Sequence, residues 1–500
     1  MTGKCYLVGA GPGDPGLITV KGRECLEKAD VLIYDALSSG VFLRWVPEGC
    51  EKIYAGKRAK EHAIPQEGIN ALIVEKAQEG KIVVRLKGGD PMIFGRGGEE
   101  AAELAEAGVP FEIVPGISSA IGGAAYAGIP VTHRDHCSQL TLFTGHEDPT
   151  KDETSLDYRK LAEADGTKVF LMGVSRLPDI TAALMEHGAD KETPIALVRW
   201  ATTGRQWTIE GTLETIATLV EKKGFTSPAV AVIGNVVKER AKINWFEKRP
   251  LFGKRIVVTR TREQAGELSA RLLELGADVV ELPTIRVDPP VYPDEFAQLV
   301  ADVHTYDWVV FTSPNGVEKF FEAFYSAYSD ARSFGKPRIA AIGPSTAKKI
   351  AEYRFTTDLL PEKFVAEGLV KAFKKEHIES QTVLWVKAEE TRDVIFDELM
   401  KQGAIVDKCI AYRTVPETDD PTGAVELLKE EGAEVVTFTS ASTVENFFKL
   451  GLTWPDGCQA ASIGPVTSKA LRAAGQEPVI EAARSDIESL VKAIRKACGG

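Results

Sequence analysis

Nowhere in the 500-residue chain do apolar residues run on for the roughly 20 positions that a membrane-spanning helix needs, so no membrane helix is expected. The first residues, M-T-G-K-C-Y-L-V-G-A-G, have no basic segment ahead of an apolar one, so no secretory signal is expected either. Cysteine is sparse. Seven residues (Cys5, Cys25, Cys50, Cys137, Cys409, Cys458 and Cys498) are scattered without a C-x-x-C pair. That argues against a structural zinc site and for a reducing, cytoplasmic setting. An excess of positive charge is also missing. Lys and Arg number 60 against 72 Asp and Glu, giving a net charge of -12, and neither half is basic. Broad contact with nucleic acid is therefore not expected. An anionic small molecule would need a local basic pocket, because the overall field would not attract it.

What is present is an alternation of short apolar runs with helical patterns. The length suggests roughly three or four domains. Apolar runs at 5–8, 31–34, 82–86, 111–114, 140–143, 169–172, 195–198 and 229–233 each end in a polar or glycine-rich cluster. The pattern predicts an α/β fold with mainly parallel sheets. Ligands in such folds bind at the C-terminal strand edge, where these clusters fall. Residues 238–249 are charged and lack strand periodicity; with Pro250 and Gly253 they read as a linker before a new strand at 255–259.

Residues 85–100, R-L-K-G-G-D-P-M-I-F-G-R-G-G-E-E, follow one of these strands. Glycine allows sharp turns and close backbone approach to a ligand, and Pro91 keeps Asp90 out of helical geometry. The segment reads as a ligand-binding loop. A second glycine-rich turn, G-A-G-P-G-D-P-G at 9–16, resembles a dinucleotide fingerprint but fails it, because Asp14 stands where the third glycine belongs. Pro12 and Pro15 remove two amide donors that a phosphate cradle would use. A cofactor without a pyrophosphate is favoured over a nucleotide; the plain alternative is a tight strand-to-helix turn. His133 and His146 have no third metal ligand at recognisable spacing, so no metal site is expected.

The second half contains an internal echo. Phe311-Thr312-Ser313 recurs as Phe438-Thr439-Ser440, Val317 and Phe320 as Val444 and Phe447, and Gly276-Ala277 as Gly403-Ala404, all 127 positions apart. The I-G-P triplet at Ile342 recurs at Ile463, six residues closer. Two similar α/β lobes are expected.

The ordered segments of the first half resemble uroporphyrinogen-III C-methyltransferases. They include V-G-A-G-P-G-D-P-G-L-I-T (8–19), the 85–100 loop, V-P-G-I-S-S-A (114–120), G-I-P-V-T-H-R (128–134), R-W-A-T-T-G-R-Q (199–206) and S-P-A (227–229). The resemblance implies two subdomains, about 1–114 and 115–243, with S-adenosylmethionine between them. It places Pro12, Gly88, Gly89, Asp90, Ile93, Ser118, Ser119, Met172, Ala201 and Ala229 around that cofactor. It also makes Asp35 and Lys57 a candidate catalytic base and acid. Arg85, Lys87 and Arg96 are candidates for meeting an acidic macrocycle. A homodimer through this unit is implied as well.

After a linker at 244–253, residues 254–500 resemble uroporphyrinogen-III synthase. The match rests on R-I-V-V-T-R (255–260), A-I-G-P-S-T-A (341–347), C-I-A-Y-R-T (409–414) and S-I-G-P-V-T-S (462–468). The resemblance implies lobe one at about 254–287 plus 414–500 and lobe two at about 288–413. Tyr412 is the candidate catalytic phenol, and Thr312, Ser313, Thr346, Ser440 and Thr467 are candidate substrate contacts. Taken singly, such hydroxyls are more often helix N-caps. Arg260, Arg262, Lys387 and Arg392 are further candidate carboxylate contacts. Together the resemblances imply an enzyme that closes hydroxymethylbilane to uroporphyrinogen III and methylates it twice to precorrin-2, on the sirohaem or cobalamin branch. The alternative is a methyltransferase for another substrate carrying a non-catalytic tetrapyrrole-binding module.

Overall fold

The computed structural model describes residues 3–35, 40–56, 64–145, 154–420 and 422–499. Lys57 and His146 lie outside the described residues, as does the side chain of Arg262. Four five-stranded sheets follow one another. None of the helices described is long and apolar enough to cross a membrane.

The first sheet is wholly parallel, in the order Glu51–Tyr54, Val31–Tyr34, Ile82–Lys87, Lys4–Gly9, Phe111–Val114. Its inner strands are near-continuous apolar runs because helices cover both faces. Val8, Leu32 and Val84 pack on one face, and Leu7, Ile33 and Val83 on the other.

The second sheet departs from the mainly parallel pattern of the other three. Its order is Leu140–Thr144, Thr167–Leu171, Ala229–Ile233, Pro194–Arg199, Trp207–Thr212, and only the first pairing is parallel. For the pairing of the last two strands the reason is loop length. Only residues 200–206 separate Pro194–Arg199 from Trp207–Thr212, and a parallel crossover needs about a dozen or more.

The third sheet runs Asp278–Glu281, Arg255–Val258, Val435–Phe438, Gln459–Ser462, Pro478–Glu481, all parallel. The fourth runs Ile285–Asp288, Ile405–Pro416, Thr382–Ala388, Trp308–Phe311, Arg338–Ala341, with only the first pair antiparallel. The chain crosses between these sheets at 282–284 and returns after Pro416. The echoed F-T-S segments end the strands Trp308–Phe311 and Val435–Phe438, one in each sheet. The echo therefore pairs equivalent parts of two lobes that exchange chain between them.

Residues 244–253, expected as a linker, are packed instead. Phe246 is 2% exposed, with its ring 4.8 Å from that of Tyr126, and Leu251 is buried in the core of the third sheet. Trp245, Phe246 and Phe252 form an aromatic string that the charged neighbours hide from a composition-based reading. The two halves meet elsewhere too. Gly253 donates its N–H to the Gly204 carbonyl at 2.9 Å. A Cβ on Gly204 would lie 2.1 Å from the Asp278 nitrogen, so the backbones touch.

Candidate active sites

A cavity of about 980 Å³ lies where the strand ends of the first two sheets converge. Three strand-end glycines shape it. A Cβ on Gly9 would fall 2.5 Å from Gly116 Cα and 2.7 Å from the Gly89 carbonyl oxygen, so three loops approach at backbone distance. Gly11 and Gly89 exchange two backbone hydrogen bonds, of 3.2 and 2.7 Å, and Gly89 has a φ of +70°. Phe94, Met172, Trp200 and Thr202 also line the cavity with positive φ, a backbone region that ordinary residues occupy only where the surroundings enforce it.

All ten residues expected around the cofactor, Pro12, Gly88, Gly89, Asp90, Ile93, Ser118, Ser119, Met172, Ala201 and Ala229, line this one cavity. The Asp90 carboxylate accepts N–H bonds from Met92 (2.8 Å) and Gly116 (2.9 Å), which pins the 88–97 loop to the loop after Phe111–Val114, across the end of Lys4–Gly9. An ionised carboxylate has further lone pairs on both oxygens for a ligand. Ser118 caps the helix Ser119–Tyr126, so the amide-rich N-terminus of that helix faces the cavity.

Asp14, which breaks the dinucleotide pattern, has a structural task. Its carboxylate accepts from the Gly16 N–H (2.8 Å) and the Tyr126 hydroxyl (2.7 Å), and its own N–H donates to Thr202 Oγ1 (2.9 Å). It thereby ties the first turn to the second subdomain. The place of the fingerprint's third glycine is thus held by a carboxylate bonded to Gly16 and Tyr126, and the cavity remains open beside it for a cofactor of another kind.

Asp35 sits at the end of Val31–Tyr34, with Arg85 Nη2 3.5 Å from its carboxylate. It is not among the cavity-lining residues. Arg85 and Lys87, candidates for meeting a macrocycle, are instead buried. Both contact Glu100 Oε1, at 3.2 and 2.7 Å, and Gln66 donates to the same oxygen. Burial and the adjacent Arg85 guanidinium hold the Lys87 ammonium below the ordinary lysine value. Arg96 is exposed and paired with Glu99 at 2.6 Å. Sequence reasoning missed Glu100. The signal was its place in the buried stripe Gly97, Glu100, Ala101, Leu104 of the helix Gly97–Glu106, where a carboxylate needs a cation.

In the second half the structure brings Tyr412 and Ser313 together, with their hydroxyl oxygens 2.9 Å apart. Tyr412 is 6% exposed, and burial pushes its phenol above the ordinary tyrosine value against the opposing Ser313 and Asn315 hydrogen bonds. Ser313 also caps the helix Pro314–Ala327, and Ser440 caps Ala441–Lys449 in a reciprocal capping box with Thr443. Thr312 donates to the Val386 carbonyl, whereas Thr346 and Thr467 are buried in the first turns of their helices. Lys387 is buried and held by Asp393 at 3.2 Å, and Arg392 is exposed. Burial holds Arg260 below the usual guanidinium value. Helix Ala441–Lys449 of the third-sheet lobe packs against Ile285–Asp288 and Ile405–Pro416 of the other lobe, close to both chain crossings.

Comparison with known proteins assigns a family to each half. Residues 4–217 match the model of the tetrapyrrole (corrin/porphyrin) methylases, and residues 266–492 match that of uroporphyrinogen-III synthase HemD. A porphyrin biosynthesis protein HemD from Ruminiclostridium josui is 38% identical over 99% of this chain and 98% of its own length. An S-adenosyl-L-methionine-dependent uroporphyrinogen III methyltransferase from Methanosarcina barkeri is 51% identical over 47% of this chain and 92% of its own. Among solved structures, a uroporphyrin-III C-methyl transferase from Thermus thermophilus complexed with S-adenyl homocysteine is 38% identical. It covers 47% of this chain and 99% of its own, with a TM-score of 0.41.

Proposed function

For a chain that belongs to the family of tetrapyrrole methylases fused to uroporphyrinogen-III synthases, we propose two consecutive activities. The second half closes hydroxymethylbilane to uroporphyrinogen III with loss of water. The first half then methylates that ring twice to precorrin-2, using S-adenosylmethionine. The observation that carries the methyl-transfer reading is the convergence of ten residues from six separate segments on one cavity, with Asp14 where a dinucleotide fingerprint would have its third glycine.

S-adenosylmethionine supplies a methyl group on a cationic sulfonium. The chain supplies the rest. Gly88, Gly89 and the amides ahead of Ser119–Tyr126 bind the polar ends of the cofactor, and Asp90 offers its free lone pairs. Asp35, held by Arg85, is the base for the proton released when an electron-rich pyrrole carbon gains a methyl group. Lys57 is the proposed companion acid. In the second half, loss of hydroxide from the substrate gives a cation stabilised by its own pyrrole, so the enzyme mainly needs to fold the chain and protonate the leaving oxygen. Tyr412, neutral and hydrogen-bonded to Ser313, is the proposed donor. A cytoplasmic setting fits the scattered cysteines, all seven of which are free; a homodimer through the first unit and a product feeding sirohaem or cobalamin synthesis belong to the same proposal. The test of the methyl-transfer half is incubation of the full chain with purified uroporphyrinogen III and labelled S-adenosylmethionine. Two labels per ring are expected; an unlabelled ring would exclude this substrate.

A further inference from the structure

The cavity holding the cofactor residues has a third wall that comes from the other half of the chain. It is built from the edge strand Asp278–Glu281, both chain crossings between the lobes (Leu282 and Pro283, then 417–420), and the helix Ala424–Glu431. This wall is fixed at both ends. Arg44 of the first subdomain contacts Glu281 at 2.7 Å, with both side chains largely buried, and Gly204 of the second subdomain lies against Asp278. The wall thus spans the mouth between the two subdomains.

Its carboxylates are largely committed to partners. Glu281 is paired with Arg44, and Asp420 accepts the N–H groups of Ala424 and Val425 at 2.9 and 2.8 Å. Glu417 accepts the Asp419 N–H at 2.9 Å. What remains toward the chamber includes the apolar Leu282, Pro283 and Val425, with Thr418 and Asp419 exposed beside them and Lys429 as a cation on the same lining. At about 980 Å³ the chamber stands at the top of the roughly 300–1,000 Å³ range of ligand pockets.

We propose that this face of the synthase unit is part of the methyl acceptor's binding site. A flat macrocycle, apolar across its face and anionic at its rim, lies between the cofactor loop at 88–95 and the wall formed by Pro283, Thr418 and Val425. The second unit then contributes acceptor-binding residues to a reaction whose cofactor is held entirely by the first. This inference rests on the methyl-transfer reading above.

The test uses the full chain with Thr418→Trp, which puts bulk into the chamber at an exposed position outside the proposed synthase site. Val425→Phe makes the same test from the helix side. Methyl transfer to uroporphyrinogen III, calorimetric binding of S-adenosylhomocysteine and cyclisation of hydroxymethylbilane are measured for each. The expected result is a KM for uroporphyrinogen III raised about fivefold or more, with cofactor-product affinity and cyclisation within about twofold of the parent. An unchanged KM in both folded variants overturns the inference, as does a parallel loss of S-adenosylhomocysteine affinity, which would put the wall at the cofactor. Absence of methyl transfer in the parent chain instead overturns the functional reading on which it rests.

Discussion

Two cations and two carboxylates meet behind the strand ends of the first sheet: Arg85 and Lys87 with Glu100 and Asp35. The charges balance only when both carboxylates are ionised, so the buried Glu100 determines whether Asp35 faces one uncompensated cation or two. Glu100→Gln should destabilise the first unit by about 3–5 kcal/mol, the usual cost of removing one partner from a buried ionic cluster, read from the first transition in urea. Tyr412 carries a different prediction. Tyr412→Phe keeps the ring in the core and removes one hydroxyl, so stability should fall by only about 1 kcal/mol. Cyclisation should fall about a hundredfold if the phenol donates to the leaving oxygen. Because burial holds the phenol above its ordinary value, parent cyclisation should lose no activity to Tyr412 ionisation below the usual tyrosine range. An alkaline limb inside that range that disappears in the phenylalanine variant would contradict the raised phenol, and cyclisation within about twofold of the parent in that variant would contradict the donor role. The sequence named Tyr412 and Asp35 through motif position, but nothing in it told a free cation from one spent on Glu100; that depends on which face of Gly97–Glu106 is turned inward.

At the scale of elements, strands buried on both faces were the legible ones. Val31–Tyr34, Pro194–Arg199 and Ala229–Ile233 fall on the apolar runs read from the sequence. Edge strands were legible only where their residues are apolar, as in Phe111–Val114 and Leu140–Thr144. Glu51–Tyr54 has two exposed residues, and Trp207–Thr212 mixes polar and apolar ones, so neither makes a continuous run. The antiparallel pairing of Trp207–Thr212 followed from the brevity of the 200–206 loop, a constraint that the α/β alternation concealed. The 3-10 helix Asn235–Glu239 offers a test at this scale. Glu239 accepts from His136 at 2.9 Å and is also bonded by Lys242, which together lower its carboxyl to about 2 from 4.5. A depressed carboxylate contributes stability that is complete above its unfolded value and lost as pH falls through the folded one. Glu239→Gln should therefore lower the Tm at neutral pH, and the gap to the parent should close as pH falls from 4.5 toward about 2. A gap independent of pH would show that the contact is not ionic.

At the scale of the molecule, two families occupy one chain and share backbone contact. The segment expected as a linker is an aromatic seam, and the cofactor chamber is closed by the lobe that carries the second activity. The sequence showed which chemistry each half carries, because motif order survives whatever the packing. It did not show that the halves pack together, because that depends on contacts such as Gly204 lying against Asp278 and the Arg44–Glu281 pair, and neither leaves a periodic trace. The consecutive use of one ring is the central claim, and one incubation tests it most directly: the full chain with hydroxymethylbilane and labelled S-adenosylmethionine, followed by isomer and mass analysis of the rings. A type III ring carrying two labelled methyl groups is the predicted product. Recovery of only the unlabelled type I ring, which hydroxymethylbilane forms when no enzyme directs its closure, would contradict it.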